Sequence, residues 1–342
     1  MSAAPHPQPI PGALMQSEAA EAARIFERDA AMDYTQSLAS LCLGDKSAIY
    51  TVARGSSDAA ANILAYEFMR ETGIPTTSMP PSVFSLGAGV RLQDAAVMLI
   101  SQSGASSDLV ASARGAVANG ACVTAITNKP GSAIEQVAHA TLPIGAGPEL
   151  AVPATKSVIG SIAAGMALLG AIKPEYRVRA LQSAARIGAL HGHEHPDAAT
   201  LRHALLRAQH VYVIGRDTGF GAAQEIALKL KECCALHAEA YSSSEVLHGP
   251  LQLVTKPLTI LMLDTEAPNT QDSMNTAQAR FEQAGGTVLR LRPSDLGARD
   301  LTPAAAAAAL LHIMYPVILS AALALGFDPD RPDTLAKETL TT

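Results

Sequence analysis

The chain has 342 residues, 48% of them apolar and 4% aromatic, with a formal net charge of −6. That is enough apolar material for substantial cores and, by length, for two domains. The acidic balance and the scarcity of stacking rings argue against a nucleic-acid surface, which needs clustered Lys and Arg.

The opening residues, MSAAPHPQPIPGALMQ, have neither the basic region nor the apolar core of a signal peptide, and prolines at 5, 7, 9 and 11 suggest a mobile N-terminal arm, bounded at residues 1–25. The first half then offers three β-branched runs ending near Gly or Ser: AIYTVARG from Ala48, AAVMLISQSG from Ala95 and ACVTAITNK from Ala121. A polar connector, LHGHEHPDAAT from Leu190 to Thr200, follows; its alternating His191, His193 and His195 read as solvated linker residues, and no metal site is expected. The second half repeats the scheme with VYVIGRD from Val211, LTILMLD from Leu258 and TVLRLRP from Thr287. Gly55 and Gly215 follow the first strand of each half, and Gly120 and Gly285 precede the last. Strands without polar alternation, separated by helices, predict an α/β fold of two doubly wound αβα units with parallel sheets. The expected division is an arm over 1–25, a first unit over 26–190, a second over 200–328 and a tail over 329–342. Residues 303–326 carry no charge unless His312 is protonated, but the Thr302-Pro303 start and the internal Pro316 favour a buried or subunit-interface helix over a membrane span. Cys42, Cys122, Cys233 and Cys234 show no Cys-x-x-Cys spacing, so neither a zinc site nor a disulfide framework is expected, and a reducing cytoplasm fits.

Two stretches carry chemistry. In EIALKLKECCALHAEAYSSSEVLHGP, from Glu225 to Pro250, Glu225, Lys229 and Glu232 share about one-sixth of a helix circumference while apolar residues cover most of the rest. Such a stripe reads either as a solvent-facing ion-pair ladder or as groups aimed at a ligand. The helix is expected to run into a polar loop dense in titratable and hydroxyl groups. Glu225 reads as a residue near the helix N-terminus, and His237 as a structural histidine. The second stretch is SQSGASSD, a serine-rich turn between a strand and a helix N-terminus, where an anion is favoured by free N–H groups and the helix dipole. Neither a dinucleotide fingerprint, a Walker loop nor a G-x-S-x-G elbow is present.

Taken in order, ARGSSD (Ala53–Asp58), SQSGASSDLV (Ser101–Val110), AGPELAVPATKS (Ala146–Ser157), ALKLKE, HAEAY, the SSSE…HGP run and LAKETLTT from Leu335 resemble the sugar isomerase (SIS) proteins with two SIS domains. These include the isomerase part of glucosamine-6-phosphate synthase and stand-alone glucosamine-6-phosphate deaminases. The resemblance implies two flavodoxin-like SIS domains and a phosphate held by Ser101, Gln102, Ser103 and Ser106, with Ser56 and Thr155 as further substrate contacts. It implies that Glu232 is the proton-transferring base, His248 the ring-opening acid/base, and Lys337 a tail residue reaching over the site. Lys229, one turn from Glu232, is expected to pair with it and favour its ionised form. No cofactor or metal is implied. The implied partner is a small-molecule sugar phosphate, with no nucleic acid and no membrane, in a cytoplasmic homodimer whose neighbouring chain supplies His248.

With Met-Ser at the start and no amidotransferase domain, removal of nitrogen is the expected direction: glucosamine 6-phosphate to fructose 6-phosphate and ammonia. Family members acting on fructosamine or fructose-amino-acid phosphates, and non-catalytic sugar-phosphate sensors, share the same motifs and stay open as alternatives. Pro153, Ile226 and Asp217 depart from the family pattern, and Pro153 bears on substrate identity more than on reaction type.

Overall fold

The structure is a computed structural model that describes residues 10–37, 43 and 46–337. Helix α1 (Ala13–Ala30) comes first. Residues 13–25, expected within a mobile arm, belong to this packed helix: Met15, Ala19, Ala22, Ala23 and Phe26 recur at helical spacing and are all buried. Residues 1–9 of the expected arm lie outside the described residues.

Strand β1 (Ala48–Val52), helix α2 (Ser56–Thr72), β2 (Thr76–Ser78), the short α3 (Ser82–Ser85), β3 (Ala95–Ser101), α4 (Ser107–Ala118), β4 (Cys122–Thr127) and β5 (Ala140–Pro143) follow. They form an all-parallel sheet in the order β2-β1-β3-β4-β5. Every residue of β3 and β4 is buried, as central strands covered on both faces require. Val97 and Leu99 pack with Leu109, Ala113 and Ala116 of α4 on one face, while Met98 and Ile100 join the main core on the other.

Helices α5 (Lys156–Ile172), α6 (Pro174–Gly188) and α7 (Ala198–Arg207) lead into the second half. There β6 (His210–Gly215), α8 (Thr218–Cys234), β7 (His237–Ser242), β8 (Thr259–Leu263), α9 (Gln271–Gln283), β9 (Thr287–Leu291) and α10 (Pro303–Ala324) complete the described elements. This sheet is also parallel, in the order β7-β6-β8-β9, which repeats β2-β1-β3-β4 of the first. Gly120 and Gly285, each at φ 90°, turn the chain into the last repeated strand of either half. Gly55 and Asp217 precede α2 and α8 with nearly the same backbone, φ 54° and ψ −126° against φ 57° and ψ −131°. Asp217 holds this glycine-like conformation because its side chain accepts from the Thr218 N–H at 2.7 Å and from Arg70 Nη2 at 2.5 Å.

Three sequence expectations are corrected here. His237–Ser242 is not a loop but the edge strand β7, polar because only one neighbour covers it. Helix α8 begins at Thr218, so Glu225 lies about two turns inside it and not near its N-terminus. Cys122 is disulfide-bonded, whereas Cys233 and Cys234 are free and buried; a disulfide needs only two cysteines brought together by the fold and leaves no spacing signature. Cys42 lies outside the described residues. Helix α10 is long and apolar enough to cross a membrane, yet it is mostly buried in the main core against α8, α7, α1 and α5.

Candidate active site

A cavity of about 750 Å³ opens at the carboxyl ends of β1 and β3, the point where the strand order of the first sheet reverses. Ligands of open parallel sheets bind at such points. Its wall combines the loop after β1 (Arg54, Gly55, Ser56, Ser57), the loop after β3 (Ser101, Gln102, Ser103, Ser106, Ser107), and Val152 and Ala154. Lys229 and Glu232 of α8 and Lys337 of the tail close it.

The serine loop is built to present hydrogen. Ser101 Oγ accepts the Gly104 N–H at 3.0 Å and Ser103 Oγ the Ala105 N–H at 3.3 Å, which leaves both hydroxyl protons free to be donated. Gly104 sits at φ 59°, and a Cβ there would lie 2.5 Å from Ser132 Cβ, so the tight turn admits glycine alone. Helix α4 begins with Ser106 as its cap, directing its N-terminus at the cavity rim.

From the other side comes the charged stripe of α8. Glu225 and Lys229 are fully buried, so the solvent-facing ladder does not apply to them. Lys229 Nζ donates to Glu232 Oε2 at 2.6 Å and to Ser56 Oγ at 2.8 Å, and lies 3.4 Å from Glu225 Oε1. Tyr315 OH donates to Glu225 Oε1 at 3.2 Å. Burial pushes the Glu225 carboxyl up to about 7, against the pull of Lys229 and with the help of Glu232. Burial opposes the charge on Lys229 as well, but Glu225 and Glu232 flank it and raise its pKa, so it remains an ammonium. Lys229 and Glu232 both line the cavity, and Glu232 is the more exposed, with a quarter of its side chain open. The arrangement can hold a carboxylate against a bound ligand beside a fixed ammonium, while nearby hydroxyls take an anion.

Lys337 Nζ donates to the Ala151 carbonyl at 2.6 Å and stands 3.7 Å from Glu149 Oε2. Glu149 in turn caps α5 by accepting the N–H groups of Thr155 and Ser157, both at 3.0 Å. Residues 338–342 of the tail lie outside the described residues.

Of the residues expected at the site, Ser56, Ser101, Gln102, Ser103, Ser106, Lys229, Glu232 and Lys337 come together on this one cavity. Thr155 is buried behind its wall, next to Ala154. His248 is exposed and is not among the residues lining the cavity. His237 is exposed, its Nδ1 3.2 Å from His210 Nδ1. The connector histidines do not converge: His191 meets the Ala20 carbonyl and His195 the Asp197 N–H. No group of three or more His, Cys, Asp or Glu side chains placed to hold a metal occurs among the described residues. Sequence reasoning passed over Arg54, whose place directly before Gly55 in a strand-end loop was the available signal.

The SIS-domain model matches residues 43–171 and 204–292. The glutamine–fructose-6-phosphate aminotransferase of Aeropyrum pernix is 31% identical over 322 residues, covering 84% of this chain and 50% of that one, and the Brucella abortus enzyme is 29% identical over 309 residues, covering 83% and 50%. The chain thus spans about half the length of the curated relatives it matches. Among solved structures, a proposed phosphosugar isomerase from Silicibacter pomeroyi DSS-3 superposes with a TM-score of 0.83 at 31% identity, covering 94% of this chain and all of that one. A glucosamine-6-phosphate deaminase from Thermotoga maritima shares the fold, with a TM-score of 0.73 at 19% identity over 96% of this chain and all of that one.

Proposed function

Because the chain belongs to the SIS-domain family of phosphosugar isomerases, we propose that it converts glucosamine 6-phosphate to fructose 6-phosphate and ammonia. The observation that carries this reading is the pairing of Glu232 with Lys229 on the wall of the same cavity that the serine loop lines. In the open-chain sugar, Glu232 removes the proton from C2 and returns it to C1, which leaves an imine carbon at C2. Water adds there and ammonia leaves, so atoms balance without an oxidant or a second substrate. Lys229 holds Glu232 in place, the serine hydroxyls and the α4 N-terminus take the phosphate, and Lys337 lines the same cavity. His248 acts as the ring-opening acid/base from the neighbouring chain of a homodimer, a reading supported by its exposed position away from its own cavity. The reaction so written uses no cofactor.

Purified protein with a chelator present is expected to release ammonia from glucosamine 6-phosphate and to form fructose 6-phosphate. Galactosamine 6-phosphate and fructosamine 6-phosphate in the same panel set the substrate. Activity abolished by the chelator, or no ammonia from any of the three, overturns the reading.

A further inference from the structure

Resting on that reading, we infer that Arg54 is the residue that selects a doubly charged phosphate, supplying the cationic contact that the serine loop lacks. Asp108 lies in the first turn of α4, its side chain wholly buried, where its charge opposes an anion at the same helix end. Arg54 cancels that charge: Nε and Nη2 meet Asp108 Oδ2 at 2.8 and 2.7 Å. Both contacts use one edge of the guanidinium. The remaining nitrogen, Nη1, has no hydrogen-bond partner among the described residues, half of the side chain is exposed, and it lines the cavity beside Ser101, Ser103 and Ser106.

The second half offers a comparison. Arg216 occupies the equivalent place after β6, but its Nη1 is taken by Ser242 Oγ at 2.8 Å and Ser244 Oγ at 2.5 Å. What separates the two is place: Arg54 lines the serine-loop cavity and Arg216 does not. A phosphate monoester passes from one negative charge to two near pH 6, and a fixed guanidinium gains most from the second. Asp108 and Asp58 face Arg54 from α4 and α2, and Lys229, Glu232 and Lys337 share its cavity.

Calorimetric binding of fructose 6-phosphate at pH 5.5 and 7.5 tests this, comparing wild type with Asp108→Asn and with Arg54→Met/Asp108→Asn. The double change avoids leaving the buried Asp108 carboxylate without its guanidinium, and circular dichroism establishes that each variant is folded. Wild type and Asp108→Asn are expected to bind more tightly at pH 7.5 than at 5.5. The double variant should lose about 10- to 100-fold at pH 7.5, the range for a charge-assisted contact, and lose the tightening with pH. Equal losses at both pH values, or none, overturn the assignment and leave the functional reading standing. Failure of wild type to bind fructose 6-phosphate removes both.

Discussion

The loop after β3 and the loop after β8 hold the same place in the two halves and have been put to opposite uses. Ser101, Ser103 and Ser106 turn hydroxyls towards a cavity. After β8 the corresponding position holds its own anion: the buried Asp264 carboxylate accepts Arg290 Nη2 at 2.8 Å, Arg292 Nε at 3.1 Å, Gln271 Nε2 at 2.9 Å and the Glu266 N–H at 2.8 Å. Burial works against its ionisation, but the hydrogen bonds from Gln271 and Glu266 and the charge of Arg290 hold its carboxyl below the usual range. A strand-end site that satisfies its donors internally becomes structure, and one that leaves them for solvent becomes a binding site.

The largest effect should separate chemistry from fold. Glu232→Gln is expected to lower kcat by roughly 10²–10⁴-fold, the range for a general base, in a protein that still unfolds cooperatively, because Glu225 remains beside Lys229. Mixed by refolding with an equally inactive His248→Ala, it should regain about a quarter of wild-type activity, since a two-fold dimer pairs one intact site with one doubly defective site in half the molecules. Mixtures that exchange subunits yet stay inactive would place both residues in one chain, or remove one of them from catalysis.

Asp264→Ala should do the reverse. Taking away the carboxylate leaves Arg290 buried without its partner, a loss of about 3–5 kcal/mol for a broken buried pair. Denaturant unfolding should record that loss, while the folded fraction keeps a KM near that of wild type. A variant as stable as wild type would break the comparison between the two loops.

The smallest effect sharpens the contrast between a raised and a lowered carboxyl. Between the ordinary carboxylate value and about 7, Glu225 keeps a proton that the unfolded chain releases. Its contribution is therefore full at low pH and lost as pH rises through about 7, a slope opposite in sign to that of Asp264. Chemical denaturation at pH 5 and pH 8 should show wild type losing on the order of 1–3 kcal/mol more than Glu225→Gln over that interval. Identical slopes would mean that Lys229 and Tyr315 keep Glu225 ionised throughout.

Which parts of this were legible beforehand follows from what each signal measures. Strands β1, β3, β4, β6, β8 and β9 could be read because they are short apolar runs ending at turn residues. The polar edge strand β7 and the three-residue β2 could not, because an edge strand is defined by its neighbour and not by its own hydrophobicity. The serine loop was readable as an anion site from Gly104 and its hydroxyls. Burial of Glu225 and Lys229 was not, since the residues that cover them, Ser56 and Tyr315, are remote in sequence. Arg54 could be noticed from its place before Gly55, but its pairing could not be read, since it depends on Asp108, 54 positions later.

Helices α2 and α8 run antiparallel across the seam between the halves, with Ser56 opposite Lys229, Asn62 bonded to Gln224, Ile63 against Gly221 and Arg70 on Asp217. At Gly221 a Cβ would come within 2.6 Å of Ile63 Cγ1, so the two rods touch there with no slack. Lys229 stands about 12 Å along the helix from that contact. The pair is a lever with its fulcrum at Gly221: a tilt of only about 5° carries the far end through roughly 1 Å at that arm length, enough to open the 2.8 Å Ser56–Lys229 bond. A tilt that draws the Arg70 end together thus opens the Lys229 end, beside Glu232, by about twice the distance.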